Sequence, residues 1–147
     1  MRYSHKLSDA VHILAYIEIY HEGDLSSTAI AQSIESNPGL VRRLMAALRS
    51  AGLLATQQGT ATPTLTRAPA AISLLDIYRA VEPDATLLHV DDKTNPQCIV
   101  GGNIQDTLRV AYDQVQRAAE DQLAAITLAS LIADIWHRQH EKERGDA

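Results

Sequence analysis

Residues 36–52, SNPGLVRRLMAALRSAG, constrain this chain more than any other stretch. Asn37 is a residue type whose side chain accepts a backbone N–H at a helix start. Pro38 suits the first helical position, where the N–H it lacks has no partner anyway. Val41, Leu44, Met45 and Leu48 then fall at i, i+3, i+4 and i+7, one apolar stripe on a helix. Gly52 supplies a left-handed stop. Gly39, Arg42, Arg43, Ala46 and Arg49 lie mostly off the stripe, so a helix buried by this face presents arginines outward.

The flanking segments extend the pattern. Upstream, Leu7, Val11, Leu14 and Ala15 predict a helix over Ser8–Tyr20, ended by Gly23 and Asp24. A short helix follows, with Ser27 as its N-cap and Ile30, Ala31 and Ile34 inward. Ser36 makes the turn into the capped helix. Downstream, Leu53–Gln57 and Thr62–Thr66 read as two strands of a hairpin with its tip at Gln58–Ala61. Pro63 lacks a donor and marks an edge. Ser73 then caps a helix with Leu74, Leu75, Ile77, Tyr78 and Val81 apolar. Residues Glu82 to Gly102 look irregular, broken by Pro83 and Pro96.

A long helix is expected from Asn103. Ile104, Leu108, Ala111, Val115, Ala118 and Gln122 step by four and three, the spacing of a heptad seam. Such a seam needs a partner, either the chain's own core or a second copy. Thr127 caps a last helix, and the charged tail from His137 is expected to fray. The fold class is therefore mainly α with a small β-hairpin wing. Its parts are a winged helix-turn-helix over 1–82, a connecting loop over 83–102, dimerisation helices over 103–137 and a charged tail over 138–147.

Composition narrows the reading. A chain of 147 residues buries a core without staples, and with no Phe, one Trp and five Tyr that core is aliphatic. One cysteine excludes an intrachain disulfide and fits a reducing cytoplasm. No secretory signal and no run of about 18 uncharged apolar residues is present. The net charge of −5 argues against a nucleic-acid partner until the chain is divided. Residues 1–70 hold six Lys/Arg against five Asp/Glu, or +1, and residues 71–147 hold seven against thirteen, or −6. The acid is C-terminal, which leaves the N-terminal half free to approach phosphates.

Helix, short helix, turn, helix, hairpin is the order of a winged helix-turn-helix. In that motif the second helix of the pair enters the major groove with its N-terminal residues near base edges. Here those residues are Gly39, Arg42 and Arg43. Gly39 permits close backbone approach, and each guanidinium can pair with phosphate or with guanine O6 and N7. The wing tip, including Gln58 and Thr60, can reach the neighbouring groove. Taken alone, an Arg-Arg pair is an ordinary solvated face, and Arg43 could instead brace against Glu35. The competing function is a protein-interaction module built on the same motif. An enzyme is not indicated, since no phosphate-cradling loop, nucleophile elbow or zinc-protease pair occurs. The histidines form no metal signature. Cys98 has two readings. It is a buried packing residue, or an oxidant-sensing thiol made acidic by the nearby helix start.

These stretches together resemble the Rrf2 family of bacterial winged-helix regulators, in its YwnA-type branch. The resemblance rests on MRYSHKLSDAVHILAYI, SNPGLVRRLMAALRSAGL, ISLLDIYRAVE, NPQCIVGGNIQDTL and ITLASLIADI, spanning residues 1 to about 136 in family order. It implies a homodimer packed through the long helices, binding of a duplex DNA operator, usually repression, and an effector that changes affinity. By position it implies DNA-facing roles for Ser27, Asn37, Gly39, Arg42, Arg43 and the wing tip. Two departures stand out. Members with an iron–sulfur cluster carry three close cysteines, whereas Cys98 is alone, so no cofactor is expected. The glycine-rich wing of the family reads here as Gln58-Gly59-Thr60-Ala61-Thr62-Pro63.

Overall fold

The structure, a computed structural model, describes residues 3–56 and 62–145. Its elements are α1 (Lys6–Ile19), α2 (Ser27–Ile34), α3 (Pro38–Ser50), β1 (Leu54–Thr56), β2 (Pro63–Leu65), α4 (Leu74–Val81), α5 (Ile104–Ala125) and α6 (Leu128–Gly145). The expected order is present; β1 starts one residue later than expected, and β2 is one residue shorter at each end.

The start and stop signals around α3 act as chemistry requires. Asn37 Oδ1 accepts the Leu40 N–H at 2.8 Å, with Pro38 in the first turn. At the other end Gly52 has φ +79°. Its N–H reaches Arg49 O at 2.9 Å, and the Leu53 N–H reaches Leu48 O at 2.9 Å. This paired closure turns the chain straight into β1. The hairpin pairs Leu54 with Leu65, Ala55 with Thr64 and Thr56 with Pro63, antiparallel.

One aliphatic core unites these elements. Ile13 and Leu14 of α1, Ile30 of α2, Val41 and Leu48 of α3, and Ile77 of α4 are all shut from solvent. The apolar stripe read for α3 is this buried face. Leu128 of α6 also belongs to the core at 0 % exposure, with Ile132 packed against it. A short backbone bridge explains how Leu128 arrives there. Leu74 N–H donates to Ile126 O and Leu128 N–H donates to Ile72 O, each at 2.8 Å, so the α5–α6 corner is clamped to the start of α4. The start of α4 is itself held by a reciprocal cap between Ser73 and Asp76.

Three local expectations are corrected. The cap of α2 is Ser26, whose side chain accepts from the Ala29 N–H at 3.2 Å, and Ser27 is the first helical residue. Asp24 displaces the start by one residue, because its carboxylate accepts the Ser26 N–H at 2.9 Å and sets the turn. Asn103 precedes α5 but does not cap it by its side chain, which donates to Ile99 O at 2.8 Å. The segment after His137 is helical to Gly145. Asp134–Arg138, Gln139–Glu143 and Glu141–Arg144 pairs and a Trp136–His140 stack supply the one-turn contacts that sustain it.

From Ala111 onward the seam of α5 is not used by the chain's own core, whereas its first two members, Ile104 and Leu108, are half-buried. Tyr112, Gln116, Ala119 and Leu123 are half-buried, whereas Ala111, Val115, Ala118 and Gln122 are exposed. At about 100° per residue the seam lies roughly a quarter turn from the face that meets α4. Val110 and Val115 are 63 % and 45 % exposed.

Candidate nucleic-acid interface

The N-terminal end of α3 and the start of α2 form one exposed surface. Arg42 Nη1 donates to Ser27 Oγ at 3.3 Å, so two residues fifteen apart in sequence meet across the turn. The correction at the α2 cap makes this possible, since a capping Ser27 would have its hydroxyl committed to its own helix. Arg42 and Arg43 are both exposed, and among the described residues neither lies in an ion pair. The alternative brace between Arg43 and Glu35 is therefore not formed.

Gly39 leaves the room that both guanidinium groups use. A Cβ there would stand 3.2 Å from Asn37 Oδ1, 3.7 Å from Arg43 Nη1 and 4.0 Å from Arg42 Nη2. A side chain would press on the helix cap and on both arginines. Asn37, Gly39, Arg42 and Arg43 thus form one cluster at the positive end of the helix dipole, with Ser27 at its edge. Arg49 sits about 10 Å further along α3 at 1.5 Å per residue. Gln58 and Thr60 lie outside the described residues.

The turn before α3 holds a feature that the sequence pattern does not reveal. Glu35 closes α2 in the left-handed region, φ 61° and ψ 47°, and the Ser36 N–H reaches Ala31 O at 2.9 Å. The tight reversal demands that backbone, and only the geometry shows that Glu35 fills a position glycine would occupy without strain.

Cys98 is exposed, which removes the buried-packing reading for this chain. Backbone N–H groups of Gly101 and Val100 face its sulfur and hold the thiol below its ordinary pKa. These N–H groups belong to the loop that leads into α5. A Cβ on Gly101 would lie 2.1 Å from Asn95 O, so the loop closes this tightly only with glycine there. His89 faces Thr86 Oγ1 at 3.4 Å, not the thiol. Among the described residues no three His, Cys, Asp or Glu side chains gather as metal ligands, and the lone thiol does not fit an iron–sulfur cluster. Nor is any described helix long and apolar enough to cross a membrane.

A helix pair with an arginine-bearing second helix, followed by a hairpin on the same core, defines a winged helix-turn-helix DNA-binding regulator. Residues 3–134 match the Rrf2 family, described as iron-dependent transcriptional regulators, and the chain belongs to that family. It is 39 % identical over 131 residues to the candidate HTH-type transcriptional regulator YwnA of Bacillus subtilis (strain 168), covering 89 % of this chain and 97 % of that one. A solved structure described as a candidate DNA-binding protein shares 37 % identity, with a TM-score of 0.71 over 86 % of this chain and 98 % of its own. A candidate transcriptional regulator from Lactobacillus plantarum shares 26 %, with a TM-score of 0.76 over 95 % and 98 %. The family is one of transcription regulators, not of enzymes.

Proposed function

We propose that the chain acts in the cytoplasm as a homodimeric repressor, laying the start of α3 in the major groove of a duplex operator. The observation that carries this is the Ser27–Arg42 contact beside Gly39. It orients one guanidinium while Arg43 stays free for a second phosphate or guanine. Asn37 holds the helix start and Gly39 lets the backbone approach. Gln58 and Thr60 of the wing serve the adjacent groove. The unburied seam of α5 supplies the dimer contact.

A gel shift on the chain's own upstream DNA tests the assignment. Replacing Arg42 and Arg43 together with Ala should abolish specific binding. It should also flatten the salt dependence of residual binding by about 0.9 in log–log slope for each phosphate no longer neutralised. Undiminished binding refutes the recognition surface. The protein-interaction reading requires instead that no DNA fragment be bound in a sequence-dependent, salt-sensitive way.

The exposure of Cys98 and the two N–H groups at its sulfur favour thiol-based control without a cluster. Its thiolate attacks a peroxide oxygen, forms a sulfenic acid and expels hydroxide. Condensation with Cys98 of the second copy then forms a disulfide and releases water. Peroxide should release wild-type protein from DNA and spare Cys98→Ser. Equal release of both refutes the sensor.

A further inference from the structure

The chain is poor in aromatic residues, yet three of its six converge outside the DNA-reading surface. Tyr16 and Tyr20 of α1 and Trp136 of α6 line a cavity of about 580 Å³ between these two helices. That volume suits a small organic ligand. Tyr16 and Tyr20 stand with ring centroids 4.6 Å apart and tilted by 40°. Trp136 is backed by the His140 ring at 5.9 Å, which holds the indole in place, and it remains 45 % exposed.

The polar lining has one sign. Glu143 contributes a carboxylate, and no lysine or arginine lines the cavity. Glu143 accepts from Gln139 Nε2 at 3.0 Å, but among the described residues no cation lies within ion-pair distance of it. His12, on the opposite wall, is engaged with the Ser33 hydroxyl at 2.7 Å. Aromatic faces carry negative potential and attract cations, most strongly where water is displaced. Three aromatic rings beside an unpaired carboxylate therefore favour an occupant both apolar and positively charged.

We propose that the α1–α6 cavity is a binding site for a lipophilic organic cation. An anion of the same shape meets Glu143 and the ring faces, and a hydrophilic cation such as potassium gains nothing from the apolar wall. The His12–Ser33 hydrogen bond joins this cavity to α2, the helix that carries Ser27.

Trp136 is the only tryptophan, so its emission reports on the cavity alone. Full-length protein is titrated with tetraphenylphosphonium and, separately, with the near-isosteric anion tetraphenylborate. Equilibrium dialysis of the phosphonium runs in parallel, in case the indole is optically silent. Saturable phosphonium binding is expected, at least tenfold tighter than borate. Tyr16→Ala should weaken it about fivefold to thirtyfold. Glu143→Gln, a change on an exposed helix end, should weaken it about threefold or more with unchanged circular dichroism. Equal affinity for the two ions, or no loss in Glu143→Gln, overturns the charge selection. No saturable phosphonium binding by either method overturns the site, as happens if a second copy covers the groove. DNA binding by the unliganded protein is a separate readout and stands or falls independently.

Discussion

Glu35 shows how one residue shapes the turn that leads into the proposed DNA-reading surface. Its left-handed backbone costs a residue with a Cβ about 1–2 kcal/mol, and glycine avoids this at some cost in chain entropy. Glu35→Gly should therefore stabilise the fold by up to about 1 kcal/mol, seen as a higher Tm. It also removes an exposed carboxylate from the turn ahead of α3, so DNA affinity should rise at low salt. A lower Tm would mean that the Glu35 side chain contributes a contact the structure does not contain. Cys98 makes the complementary case for loop geometry. Its thiol pKa is lowered by the Gly101 and Val100 N–H groups, so the thiolate forms more readily than in an unstructured cysteine. The iodoacetamide alkylation rate should rise with pH to a midpoint below that of an unstructured cysteine peptide titrated alongside. In Gly101→Ala the added Cβ opens the loop, and the midpoint should move back up. A wild-type midpoint at or above the unstructured value would contradict the loop's role.

Helices α5 and α6 use their apolar faces for different ends. Leu128 enters the common core beside Ile72, and its backbone is clamped there. Leu128→Ala should cost about 2–5 kcal/mol of folding stability, as a large-to-small change at a closed site does. Val115 sits on the exposed seam of α5, outside the core, so Val115→Glu should leave each chain folded. Two such charges facing each other across a dimer repel, and sedimentation should then show a monomer with weakened DNA binding. An unchanged dimer in Val115→Glu would move the interface off this seam. The pair of variants separates folding from assembly, which neither does alone.

For the whole molecule, the division of charge matters more than its sum. The N-terminal half, at +1, carries the cluster proposed to read DNA, and on that proposal the acidic C-terminal half keeps α5 and α6 away from phosphates. A twofold dimer built on α5 presents two copies of α3. Footprinting should accordingly protect an inverted repeat whose half-sites lie about one helical turn, 34–36 Å, apart or a multiple of it. Protection of a single half-site by the dimer would exclude this symmetric arrangement.

Much of this was determined by the chain's local chemistry. Asn37, Pro38 and Gly52 bound α3 through capping and backbone preference, which act within a turn and are visible in sequence. The stripe Val41, Leu44, Met45 and Leu48 announces a buried face, and the arginines off it announce an exposed one. The family pattern added the proposed DNA-facing roles of Ser27 and Asn37. What lay beyond reach depended on contacts across space. Asp24 moved the α2 cap to Ser26 and so released Ser27 to meet Arg42. The turn put Glu35 into a glycine conformation, and the 72–74 and 126–128 segments joined to seat Leu128 in the core. Each is a choice between locally near-equal alternatives. Only packing of distant segments distinguishes such alternatives, because a hydroxyl or a carbonyl takes the partner that the tertiary structure places within reach.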